Sequence, residues 1–133
     1  MMYFMLSLNL LWLLPIFTFR WARRHAPAKL WRFTGFVFGA VVNPAAMGLY
    51  GLYFLGPITA LLGILGLVLT MFHGDPGYNL AIQFGLVKPR TVVVGIQHFY
   101  IALLDGVVWS IIYGVSGWIV DWFRARIKLN GLK

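Results

Sequence analysis

Charged and apolar positions divide this chain into long blocks. Residues 1–19 contain no Lys, Arg, Asp, Glu or His, and neither do residues 33–72. Residues 91–120 are interrupted only by His98 and Asp105. A helix needs roughly 20 apolar residues to cross a ~30 Å hydrocarbon core. The first block therefore predicts one helix, about 1–19, and the second is long enough for two. Gly56-Pro57 reads as the turn between those two, with Pro at the first position of the following helix, giving 33–55 and 57–72. Asn43-Pro44 falls inside the earlier limb and should kink it by removing a backbone hydrogen bond. The third block predicts one long or tilted helix, about 91–123. The expected fold is an all-α integral membrane protein of about four transmembrane helices, forming a single membrane domain over 1–133.

Three connections complete that outline: a basic loop 20–32, a polar loop 73–90 and a basic tail 124–133. In the polar loop, His73-Gly74-Asp75-Pro76-Gly77 reads as a turn cluster, and Tyr78 to Val87 as a short interfacial element. The N-terminal block lacks a basic start and a small-residue cleavage pattern, so it reads as a retained helix rather than a signal peptide.

Charge then poses a topological conflict. Arg20, Arg23, Arg24, Lys29 and Arg32 mark the first loop as cytoplasmic, and Arg124, Arg126, Lys128 and Lys133 say the same of the tail. Two clusters on one side require an even number of crossings between them, whereas the block lengths give three. The expectation is four crossings with the tail on the less basic side. Three crossings plus a re-entrant 57–72 is the alternative.

Composition narrows the function classes. The chain has 133 residues, 61% hydrophobic and 11% charged, whereas soluble domains carry about 25% charged residues. Its 11 Lys+Arg face 3 Asp+Glu, a formal charge of +8. On so apolar a chain these cations suit anionic lipid headgroups, each contributing on the order of 1 kcal/mol near the surface. Nucleic acid would require a soluble surface that is lacking. The absence of cysteine excludes disulfides and thiolate metal sites. The expected location is a bacterial inner membrane, with loop 20–32 cytoplasmic and Arg20, Arg23, Arg24, Lys29, Arg32, Arg124 and Arg126 at headgroup level. Trp21, Trp31, Trp118 and Trp122 beside these clusters read as interfacial anchors.

Small residues recur at helical spacing. Gly35 and Gly39 form a GxxxG, with Asn43 one turn further, and Gly106, Ser110 and Gly114 form a second stripe. Such stripes let helices approach closely where no water drives association. Gly63 and Gly66 make a looser pair.

An ionisable group within a bilayer is costly and is a functional candidate by default. Asp105 and His98 lie seven residues apart, on nearly one helix face and ~10 Å apart along the axis at 1.5 Å per residue. With Asn43 they form the intramembrane polar set. Three readings compete: hydrogen bonding to neighbouring helices, a proton or cation path through Asp105 and His98, and ligation of haem or chlorophyll by His98, with His73 as a second ligand. The first is favoured. Asp121 reads as an ion-pair partner of Arg124, and Asp75 as a turn residue. No nucleophile–base set, metalloprotease motif or phosphate loop is present. The expected function is a non-catalytic accessory subunit of a larger membrane complex, packing against other integral membrane subunits, lipids or cofactors. The alternative is a small homo-oligomeric channel or proton-coupled carrier using Asp105 and His98.

Overall fold

A computed structural model of the chain describes residues 2–90, 93 and 96–130. Positions 91, 92, 94 and 95, assigned above to the start of the last helix, and 131–133 of the basic tail lie outside the described residues. Every described element is helical. α1 (Met2–Ser7) and α2 (Leu13–His25) are joined by a 3-10 turn, Leu8–Trp12; α3 spans Leu30–Gly51, α4 Pro57–Gln83 and α5 Ile96–Asn130. Three helices are long and apolar enough to cross a membrane: Pro27–Leu55 (α3 with its flanking turns), Pro57–Gln83, and Tyr100–Leu129 within α5.

α3 is the central helix. Of its most apolar stretch 44% is buried, against 17% for α4 and 22% for α5, so the other helices present most of their surface outward. α5 packs along α3 in the opposite direction: Gly117 lies against Trp31, Gly35 against Tyr113, Gly39 against Trp109 and Gly106 against Ala40. The α1–α2 arm also runs opposite to α3. Asn9 bonds the Gly48 carbonyl at 3.0 Å near one end, and Phe19 packs on Trp31 near the other. The start of α3 and the end of α5 are therefore at the same end of the bundle, and the first basic cluster lies there with Arg124, Arg126 and Lys128.

Three departures from the sequence expectations have physical causes. The first apolar block is not one regular helix. Pro15 has no N–H to give the Leu11 carbonyl and its ring crowds that carbonyl, and the preceding turn tightens to 3-10 form.

The second departure is larger. The turn cluster His73–Gly77 and the interfacial element after it do not form a loop, because α4 continues through Pro76 to Gln83. The expected 16-residue limb is thus a 27-residue helix. Proline and glycine are tolerated inside apolar membrane helices where neighbours engage the disturbed backbone, and α5 bonds the Gly77 N–H and the His73 carbonyl on either side of Pro76 here, as described below. Pro44 is accommodated similarly within α3. It leaves the Ala40 carbonyl without its helical donor, and that carbonyl faces Gly106, where an added Cβ would come within 2.9 Å.

Third, the tail is helical through Asn130. Its Asp121 does not pair with Arg124. It accepts the backbone N–H groups of Trp31 at 3.1 Å and Arg32 at 3.0 Å, and stands 4.0 Å from the Arg32 Nε. The first turn of a helix has N–H groups with no intrahelical acceptor and carries partial positive charge. Lys29, at the capping position of α3, makes no side-chain cap, so Asp121 of α5 supplies one from across the bundle.

Candidate functional site

The polar residues of the interior meet where α3, α4 and α5 converge. Asp105 is fully buried. Its Oδ2 accepts from the Asn43 amide on α3 at 2.6 Å, and its Oδ1 accepts from the Gly77 backbone N–H on α4 at 2.5 Å. One carboxylate thus ties three helices together. The side chain reaches Gly77 because that residue has no Cβ: one added there would lie 2.5 Å from the Asp105 carboxyl carbon.

One turn away, α5 makes a second contact with the same stretch of α4. The Trp109 indole N–H donates to the His73 carbonyl at 2.9 Å. In a regular helix the Gly77 N–H and the His73 carbonyl bond each other. Here Asp105 and Trp109, four residues apart on α5, supply a partner to each. The N–H that Pro76 lacks would have met the Phe72 carbonyl, so these two bonds engage the backbone groups beside the break.

The His73 ring is also engaged. Its Nδ1 is 2.8 Å from the Leu69 carbonyl, which can only accept, so Nδ1 carries the proton. In the neutral ring Nε2 then accepts from the Tyr113 hydroxyl at 2.9 Å. Trp109 packs against the ring at a centroid distance of 4.5 Å, and Tyr113 stacks on it at 6.0 Å.

The candidate residues therefore divide. Asp105 and Asn43 are joined, whereas His98 is exposed near the start of α5 and takes no part in the node. His73 and His98 do not face each other; the partners of His73 are Trp109 and Tyr113. Among the described residues no group of three or more His, Asp or Glu side chains is arranged to hold a metal ion. The two glycine stripes meet in the α3–α5 contact, where Gly35 and Gly39 bring α3 against α5 backbone carbonyls and Ser110 is buried. Gly114 has more room, with Phe36 at 3.6 Å from a built Cβ.

Sequence reasoning missed the role of Gly77 and Trp109. The signal was present in the pairing of a Pro-Gly step with an acidic residue in another apolar segment, each costly alone and compatible together.

Arg20, Arg23, Arg24 and Lys29 are exposed at the end of the bundle that also holds Arg124 and Arg126. Trp21, Trp31, Trp118 and Trp122 ring that same end, each between 40% and 51% exposed. Arg126 lies over the Trp122 ring, 3.9 Å from its centroid.

Fold and composition define an all-helical protein with three helices long and apolar enough to cross a membrane. Comparison with family models, with characterised proteins and with solved structures gives no match.

Proposed function

We propose that this protein is a non-catalytic subunit of a larger membrane complex, held there by helix packing and by lipid. The observation that carries the reading is the use made of the interior polar groups. Both oxygens of Asp105 and both ring nitrogens of His73 are bonded to the chain's own helices. A conducting path needs groups that exchange partners with a moving ion, and here the partners are backbone and packed side chains. His98, exposed and away from Asp105, does not extend the node into a route. The channel or carrier reading therefore draws less support than the accessory one.

The outer surface supports the same reading. Ile58, Leu61, Met71 and Phe72 on α4 are each more than 65% exposed. On a chain of this size such an apolar exterior suits lipid tails and the helices of partner subunits.

In this reading the α1–α2 arm, α3 and α5 are the crossings. α4 begins where α3 ends, and at Gly77 it lies beside Ile101 and Asp105, in the first third of α5. It is long enough to cross, and a re-entrant α4 is the reading that puts both basic clusters on one side. Both basic clusters then lie on the cytoplasmic side of a bacterial inner membrane, as the excess of Arg and Lys favours.

The test is extraction of the native membrane in mild detergent, followed by native electrophoresis and mass spectrometry of the band. Migration with different, larger integral membrane subunits is the expected result. A band composed of this chain alone, with ion flux in reconstituted vesicles, would overturn the proposal.

A further inference from the structure

We infer that the groove between α2 and α3 is a binding site for one anionic phospholipid. The groove has a volume of about 800 Å³. Arg20, Arg23 and Arg24 line its charged part, and Pro15, Ile16 and Phe19 line its apolar part. The three arginines follow the i, i+3, i+4 spacing that places side chains on one helix face. From Arg24 down to Pro15 the groove follows α2 for about 14 Å at 1.5 Å per residue, so cationic and apolar walls succeed one another along the bundle axis. An amphiphile with an anionic head and a hydrocarbon tail matches that order.

Charge accounting points to an external anion. The chain has three acidic residues. Asp105 is bonded to Asn43 and Gly77, Asp121 to the first turn of α3, and Asp75 lies on α4. Asp121 also stands 4.0 Å from the Arg32 Nε, and among the described residues none of the three groove arginines pairs with a carboxylate. Guanidinium groups present fork-shaped donor sets that match phosphate oxygens. Nearby, the Trp21 ring packs on Phe33 at 5.9 Å and on His25 at 5.6 Å, marking headgroup depth beside the groove. A lipid phosphate at the arginines with an acyl chain along Ile16 and Phe19 satisfies both walls, whereas a free phosphate satisfies only one.

This inference does not depend on partner subunits, because its test uses the isolated chain. The full-length protein in mild detergent is titrated with phosphatidylglycerol, with phosphatidylcholine and with inorganic phosphate, and bound lipid is counted by native mass spectrometry. One phosphatidylglycerol per chain is expected to be retained, in preference to phosphatidylcholine, and not displaced by inorganic phosphate. The combined Arg20→Gln, Arg23→Gln, Arg24→Gln variant should weaken retention on the order of 100-fold at about 1 kcal/mol per cation. Arg90→Gln, an exposed cation outside both basic clusters and the groove, should leave it unchanged.

Ile16→Trp fills the apolar wall without altering charge and should also weaken retention. It carries the test together with Arg23→Gln if the triple variant does not fold. Equal retention of the zwitterionic lipid, displacement by inorganic phosphate, or insensitivity to both Ile16→Trp and Arg23→Gln would each overturn the inference.

Discussion

The Asp105 carboxylate on α5 accepts the backbone N–H of Gly77 on α4, one residue beyond the proline that interrupts that helix. The relationship joins two costs of apolar surroundings, a carboxylate without water and a helix with a proline in it. The Gly77 N–H offsets the first, and Asp105 gives the second a fixed contact beside the break. Asn43 closes the arrangement from α3, and the three helices are thereby fixed relative to one another at one level.

Close approach of α3 and α5 should be sensitive to bulk at some glycines and not others. A side chain at Gly39 would run into the Trp109 backbone, whereas one at Gly114 meets only ordinary contact with Phe36. Gly39→Leu is expected to destabilise by more than about 2 kcal/mol through overpacking, and Gly114→Ala by less than about 0.5 kcal/mol. Thermal melting in detergent, followed by circular dichroism, measures both.

Asp121 should matter through the first turn of α3 rather than through Arg124. Asp121→Ala is expected to cost about 1 kcal/mol, the usual loss for a helix cap, and Asp121→Asn less, because an amide oxygen still accepts one N–H. Arg124→Ala should remain within about 0.5 kcal/mol of the parent. Chemical denaturation in mixed micelles compares the three.

Tyr113→Phe removes the hydroxyl that bonds the His73 ring and leaves the ring stacking in place. A loss of about 1 kcal/mol is expected. A change in the fluorescence of Trp109, packed on the same imidazole, should accompany it; a Trp109→Phe control identifies which of the tryptophans reports.

Topology has a clean chemical test, because the chain contains no cysteine. Ala28 and Ala125 line one cavity at the basic end. Single cysteines at these positions should both react with a membrane-impermeant maleimide from the same side, and a cysteine at Tyr53 from the other. Labelling of positions 28 and 125 from opposite faces would show that α4 carries the chain across.

Much of the helical outline was legible because charge-free blocks and the Gly56-Pro57 turn are local signals. Gly56 adopts φ 153°, and α4 begins at Pro57. The extent of α4 was not legible. His73-Gly74-Asp75-Pro76-Gly77 has turn composition by every local rule, while the donor and acceptor that α5 presents to it come from a distant segment. Asp121 was misassigned for a related reason. A nearby arginine is visible in the sequence, while the open N–H groups of Trp31 and Arg32 become its partners only once α3 and α5 lie antiparallel. The separation of His98 from Asp105 was hidden too. Seven residues put two side chains on nearly one face of a straight helix, but exposure depends on what covers each end. Long-range pairing decided all three cases.

The central claim is that the buried carboxylate holds helices together rather than carrying charge, and Asp105 itself gives the most direct test. Asp105→Asn keeps an oxygen for Gly77, and rotation of the Asn43 amide presents its oxygen, which now lacks a partner, to the new amide. Asp105→Leu puts a larger, apolar branched side chain there and leaves the Gly77 N–H and the Asn43 amide unpaired, a loss of about 1–3 kcal/mol per buried group to which overpacking adds. The measurement is the melting temperature of the two variants beside the parent in one detergent. The account predicts that Asp105→Asn melts close to the parent and that Asp105→Leu melts far lower. An Asp105→Leu protein as stable as the parent would contradict it.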